Sequence, residues 1–203
     1  MILDPEKISP QDNYKLLVGT VVPRPIAFVS TISPEGVRNL APFSFFTVAS
    51  ANPPVVCFTA SFREPRKDTL VNIRATGEFV VNIVSMEFAA KMNATSAEFP
   101  YGVDEFGVSG LTPMPSDLVK PARVAEAHVN LECKLLQIVE VSHQPLGGTL
   151  ILGQVIRFHV DDAIMDGTRV DPAKLDAVGR MAGNTYCTTH DRFDRIRPVY
   201  EKK

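Results

Sequence analysis

The chain has 203 residues, 45 % of them apolar and 22 % charged, with a formal net charge of −2 at pH 7. This is the mixture of an ordinary globular protein, long enough to bury a full core without disulfide or metal staples. No run of like charge is present, which argues against nucleic acid or an anionic membrane surface as the main partner.

No stretch approaches the roughly 20 apolar residues of a membrane span. Met1 to Asp12 carries Asp4, Glu6, Lys7 and Asp12 with Pro5 and Pro10, and does not read as a signal peptide. The three cysteines, Cys57, Cys133 and Cys187, are far apart and have no CxxC or Cys/His zinc spacing. Cys57 and Cys133 lie in apolar runs and read as small buried hydrophobes. A reduced, cytoplasmic protein is expected, with residues 1–203 as one domain.

In chain order, Asp12 to Val18 reads as a short helix. Pro25 to Ser33, PIAFVSTIS, is a β-branched and aromatic strand ending in the turn signal Pro34-Glu35-Gly36. Val37 to Ala51 reads as one returning strand, Pro53-Pro54 breaks it, and Val55 to Phe62 is a third strand. Asp68 to Thr76 is a helix with Asp68 as N-cap and Gly77 as terminator. Glu78 to Ser85 is a fourth strand, with Phe79, Val81 and Ile83 on one face. Ser85 to Asn93 is another helix, capped by Ser85.

Thr95 to Arg123, punctuated by Pro100, Pro113, Pro115 and Pro121, reads as a long loop with at most a short helix. Such loops in compact domains are usually functional. From Val129 the apolar positions are odd-numbered through Leu135, then Leu136 and Ile138 shift the phase, which predicts a bulge. Leu150 to Val160 alternates again, and Gln144 to Thr149 joins the two as a hairpin. Arg192, Arg195 and Arg197, interleaved with Asp191 and Asp194, read as a solvated surface. Six or more strands without strand–helix alternation predict a mainly β fold, an antiparallel barrel with a few peripheral helices.

Familiar chemistry is missing from the sequence. It has no GxGxxG, no GxxxxGK[ST] and no GxSxG. Of the four histidines, His128 and His159 fall in strand patterns and read as structural, so hydrolytic and metal chemistry are disfavoured. Three stretches remain. REPRKDT (Arg63 to Thr69) gathers Arg63, Arg66, Lys67 and the Thr69 hydroxyl where a helix begins, and a helix start with its unpaired N–H groups suits a phosphate. Ser61, ending the preceding strand, adds a donor. The alternative is a solvated basic turn capped by Asp68. NLAPFSFF (Asn39 to Phe46) offers an apolar wall with a few polar groups, as a flat heteroaromatic ring requires, or else a core strand. GRMAGNTY (Gly179 to Tyr186) follows a polar loop and is either a third contact or only a turn.

PRPIAFVST (Pro23 to Thr31), NLAPFSFF, RKDT, GEFVVNIV (Gly77 to Val84), LECKL (Leu131 to Leu135), LILGQVIRFHV (Leu150 to Val160) and GRMAGNTY occur in this order. Together they resemble the flavin reductase-like family of FMN-binding split-barrel proteins, flavoredoxins among them, from about Asp12 to Pro198. The resemblance implies a Greek-key split barrel, a homodimer, and FMN near the subunit interface. It implies Arg66, Lys67 and Thr69 at the FMN phosphate with Ser61 nearby. Asn39, Ser44, Phe45 and Phe46 would meet the flavin ring, and Thr59 and Ala60 its other edge or the ribityl chain. Asn82 would be a further polar contact, with a surface asparagine as the alternative, and Arg180, Gly183 and Tyr186 would approach the cofactor, from the partner subunit or their own.

The implied activity is hydride transfer from NAD(P)H to flavin N5, with electrons passed on to flavin or a protein acceptor. No protein acid or base is required for that step, and ring hydrogen-bond donors would stabilise the reduced flavin. An FMN electron carrier without NAD(P)H activity is the alternative. An oxidase of a phosphorylated amine is weaker, because no second basic cluster is present.

Overall fold

The structure, a computed structural model, describes residues 1–200. In chain order the elements are α1 (Pro10–Thr20), β1 (Arg24–Pro25), β2 (Ala27–Ile32), β3 (Arg38–Phe43), β4 (Phe46–Ala51), β5 (Pro54–Ser61), α2 (Asp68–Thr76) and β6 (Glu78–Ile83). There follow α3 (Ala89–Ala94), α4 (Glu105–Ser109), β7 (Pro113–Met114), β8 (Arg123–Val124), β9 (Val129–Glu140) and β10 (Gly148–Val160). The chain ends with β11 (Met165–Asp166), β12 (Arg169–Val170), α5 (Pro172–Leu175), β13 (Val178–Arg180) and β14 (Tyr186–Thr188).

Seven strands form one antiparallel sheet in the order β3-β2-β6-β9-β10-β5-β4. The two edge strands, β3 and β4, are consecutive in the chain and separated only by Ser44 and Phe45. A link that short obliges the sheet to curl until its edges meet, and the Phe45 carbonyl, accepting from Thr59 N–H at 2.9 Å, ties the link to β5. The stretch Val37 to Ala51 is therefore two strands that turn a corner at Ser44, not the single returning strand its β-propensity predicts.

Inside the curl, alternate residues of every strand fill the barrel. Phe43, Phe58 and Phe79 pack in sequence, the first pair tilted and the second edge-to-face, with ring centroids 4.9 and 5.6 Å apart, and Leu70 and Ile73 of α2 plug one end. The opposite faces of β2 and β3 are also buried, because α3, α4 and β8 lay a second apolar layer over Phe28 and Leu40. This double burial explains why β2 is apolar on both faces.

The predicted phase slip in β9 is a bulge. Leu152 pairs with Gln137 but Gly153 with Leu135, leaving Leu136 extra, and a second irregularity follows at Ile156. Gly77 ends α2 in the left-handed region (φ 70°), as expected of a glycine terminator. Two predicted caps differ: Lys67, not Asp68, precedes α2, and Ser85 makes no side-chain cap bond to the short turn it heads. Cys133 is buried as expected, whereas Cys57 is partly exposed. The Thr95–Arg123 loop contains α4 and contributes to the small β7–β8 ladder. No helix among the described residues is long and apolar enough to cross a membrane.

His159 meets a buried carboxylate of the neighbouring strand. Its Nε2 meets Glu132 at 2.5 Å, and that fully buried carboxylate also accepts from the N–H groups of Asp117 (2.8 Å) and Leu118 (2.7 Å), pinning the loop to the barrel wall. Burial alone would raise the Glu132 carboxyl, but the two amides and His159 outweigh it and hold the group below its ordinary value. A carboxyl depressed in the folded state contributes stability that is complete above its unfolded value and is lost as pH falls through its folded one. The stability difference between wild type and Glu132→Gln is thus expected to narrow as pH falls below the ordinary glutamate value of 4.5, as read from urea midpoints.

The inner face of β10 is also constrained at Gly153, where a Cβ would collide with the fully buried Phe79 ring. Gly153→Ala is expected to lower stability by about 1–3 kcal/mol. A Phe79→Leu background should relieve part of that loss in thermal melts.

Candidate functional site

The N-terminal turn of α2 meets the mouth of the barrel in a buried polar network. Asn39 Nδ2 donates to Thr31 Oγ1 (3.1 Å) and Thr69 Oγ1 (3.0 Å), and Asn72 Nδ2 donates to Thr31 Oγ1 (3.0 Å). Thr69 accepts in this network, which leaves its hydroxyl proton free to point elsewhere. The helix begins without a side-chain cap, since Lys67 holds the N-cap position and has no oxygen to offer.

Lys67, Thr69, Asn39 and Arg63 line a small cleft here, closed by Thr95, Ser96 and Phe99. Burial, and then the neighbouring Arg63, pull the Lys67 ammonium below its ordinary value, and the group lies 5.9 Å from the centroid of the Phe43 ring. The Arg63 Nε is buried without a partner, while its Nη1 reaches Glu98 at 2.7 Å. Two carboxyls border the cleft, and burial raises both: Asp68, and Glu105, which accepts from Leu40 N–H at 2.9 Å. A cation-rich helix start without a side-chain cap has the chemistry that suits an anion.

Pro42 and Ser96 join this cleft to a larger cavity of about 510 Å³. Its walls are apolar (Val18, Ile26, Met92), aromatic (Tyr14, Tyr186) and polar (Ser44, Asn93, Arg180). The volume falls in the usual range for small-molecule sites. Tyr186 Oη donates to Asn93 Oδ1 at 2.9 Å, and Arg180 lies over the Tyr186 ring at 4.4 Å. On the other side of the Ser44–Phe46 segment, an apolar groove of about 390 Å³ is lined by Phe45, Phe46, Cys57, Thr59 and Leu150, with Leu17 and Val21 of α1.

The fold therefore brings Asn39, Lys67 and Thr69 to one compartment and Ser44, Arg180, Gly183 and Tyr186 to the adjoining one. Phe45, Phe46 and Thr59 line the neighbouring groove. Four predicted residues lie elsewhere. Arg66 turns away, 4.2 Å over the Phe62 ring and paired with Glu64 (3.5 Å) and Glu140 (3.6 Å). Ala60 is in the barrel core, and Ser61 is exposed at the end of β5. Asn82 does lie on the face opposite Phe79 and Val81, but the second layer buries it completely. Its Nδ2 donates to Phe28 O (2.8 Å), and its Oδ1 accepts from Val124 N–H and Asn130 Nδ2 (both 2.9 Å). It is neither a surface nor a cavity residue.

Arg24 was not legible as a site residue. It is nearly buried, lines both the cavity and the groove, and donates to the carbonyls of Val18 and Val21 (both 2.7 Å) and Met181 (2.9 Å). It thereby staples the end of α1 to the 181–185 turn, and burial lowers the pKa of its guanidinium. Only its place inside PRPIAFVST marked it.

The flavin reductase like domain model matches residues 18–175, and the chain belongs to that family. The fold is the split barrel. The chain is 46 % identical over 176 residues to an uncharacterized protein of Aquifex aeolicus (strain VF5), covering 85 % of this chain and 88 % of that one. Among solved structures, nitrilotriacetate monooxygenase component B from Bacillus cereus superposes with a TM-score of 0.93 at 34 % identity, covering 96 % of this chain and 98 % of that one. The 2-nitrobenzoate 2-nitroreductase NbaA of Pseudomonas fluorescens gives 0.90 at 28 % identity, covering 100 % and 99 %.

Arg24→Lys keeps the charge but loses the planar fork that reaches three carbonyls. It is expected to lower thermal stability by about 1–3 kcal/mol and to speed amide exchange in residues 179–186.

Proposed function

We propose that the protein is an FMN-dependent oxidoreductase that draws electrons from NAD(P)H in the cytoplasm and works as a homodimer. The observation that carries this reading is the uncapped start of α2, where Lys67 and the free Thr69 proton face a cleft continuous with the 510 Å³ cavity. The residues present fit a monoester phosphate in the cleft and a flat ring system in the cavity. When bound, FMN supplies the two-electron chemistry, accepting hydride from NAD(P)H and releasing electrons to flavin, a protein or another small acceptor.

The protein's part is binding and orientation. Lys67, the α2 N–H groups and Thr69 hold the phosphate by charge-assisted hydrogen bonds. Arg63 has a buried, unpartnered Nε to add there, in the place the family resemblance implies for Arg66. Burial pushes the Asp68 and Glu105 carboxyls at the cleft's border above their ordinary values. Asn39 fixes Thr69 so that its proton points into the cleft. Pro42, Ile26 and Met92 exclude water from the ring compartment, and Ser44, Asn93 and Arg180 supply its polar edge. Membership of the flavin reductase like family supports the reading, as do redox relatives at 34 % and 28 % identity.

Purified protein is expected to be yellow and to release intact flavin on denaturation. Replacing both Lys67 and Thr69 with alanine should weaken FMN binding by about tenfold or more in fluorescence titrations; unchanged affinity would contradict the assignment. Anaerobic mixing with NADH or NADPH should bleach the bound flavin rapidly. No bleaching within minutes would make the protein an electron carrier instead.

A further inference from the structure

After β14 no further helix or strand forms among the described residues, and residues 189–200 are an irregular, largely exposed arm. His190 Nε2 meets Asp176 at 2.6 Å, and beyond it the arm's hydrogen bonds among the described residues are internal. Phe193, Ile196, Val199 and Tyr200 stand 80–96 % exposed. Four large apolar side chains in solvent on one short segment call for a partner surface.

Their spacing indicates how they are used. Positions 193, 196 and 199 recur every third residue, so in an extended polyproline-like segment, which Pro198 favours, they share one face. Arg192, Arg195, Asp194 and Arg197 fall on the other two, leaving a strip apolar toward a partner and charged toward water.

The groove beside Ser44 has the complementary character. Leu17, Val21 and Phe45 are 57, 59 and 41 % exposed along its rim, and its floor is Phe46, Cys57 and Leu150. Arm and groove are joined through one small sheet, since β14 pairs with β13, β13 with β1, and Arg24 of β1 lines the groove. In its own chain the arm does not line the groove, and its apolar side chains stay in solvent.

We propose that residues 189–200 are an exchanged arm whose Phe193, Ile196 and Val199 face fills the Leu17–Val21–Phe45 groove of a second copy of this chain, with Tyr200 closing its end. The idea rests on the homodimer reading and specifies what holds that dimer. Twelve extended residues reach about 40 Å, which spans a domain of this length with a radius of gyration near 17 Å. The four side chains bury on the order of 600 Å² per arm. Two reciprocal arms and their grooves then bury about 2,400 Å², as stable dimers do. Reciprocal exchange makes a closed two-fold assembly.

Cys57, in the groove floor, provides the test. In a Cys187→Ser background, Ile196→Cys is oxidised with diamide and run on non-reducing gels. The expected product is a covalent dimer at twice the 22.3 kDa chain mass, abolished by Cys57→Ser. Independently, a chain ending at His190 should show a dimer dissociation constant raised about a hundredfold in sedimentation velocity. A disulfide formed only within one chain would overturn the exchange, as would a truncated chain that dimerises as tightly as the intact one. An intact protein that sediments as a monomer at micromolar concentration defeats the dimer reading and the arm with it. A tight dimer without the cross-link defeats the arm alone.

Discussion

The two-residue connection between β3 and β4 constrains everything else in this fold. These strands lie at opposite edges of a seven-stranded sheet, and Ser44 and Phe45 are all that separates them. An open sheet of that width would hold its edges tens of ångströms apart, so the chain itself dictates closure. Closure packs Phe43, Phe58 and Phe79 against one another in the interior. It also leaves the Ser44 corner projecting as a partition between the cavity and the apolar groove. The candidate site is thus a by-product of how the barrel shuts.

The second consequence concerns the end that α2 plugs. Leu70 and Ile73 anchor the helix in the core, which fixes where its N-terminus emerges. Thr31, Asn39, Thr69 and Asn72 satisfy one another there, so the site is rigid before any ligand arrives. A pre-formed donor set loses little entropy on binding and holds its geometry during reaction. The absent N-cap is the counterpart of this order: helix N–H groups are left for a ligand where an ordinary helix would use a serine or aspartate.

Much of this was written in local patterns. The barrel class, the β9–β10 hairpin, the bulge after Leu135 and the Gly77 terminator all follow from spacing and turn chemistry, which act over a few residues. The Ser44 corner was hidden because FSFFTVAS keeps its β-propensity across the break, and only long-range pairing makes two strands of it. Asn82 was misjudged for a related reason. Its face was read correctly, but nothing in β6 announces that α3, α4 and β8 cover that face with a second layer. In REPRKDT the composition disclosed cations at a helix start. Which arginine turns inward depends on Glu64 and Glu140 drawing Arg66 outward, and Glu140 is distant in sequence. Arg24 acts through carbonyls of α1 and of the 181–185 turn, contacts that no motif records.

The central claim is that the start of α2 is an anchor for the phosphate of a mononucleotide. Comparing the wild-type protein's affinity for FMN with its affinity for riboflavin isolates that contribution, because the two ligands differ only in the phosphate. The account predicts that FMN binds at least about a hundredfold more tightly, as several charge-assisted hydrogen bonds require, with an advantage that shrinks as salt is added. Equal affinities would mean that Lys67 and Thr69 face no phosphate, and would contradict it.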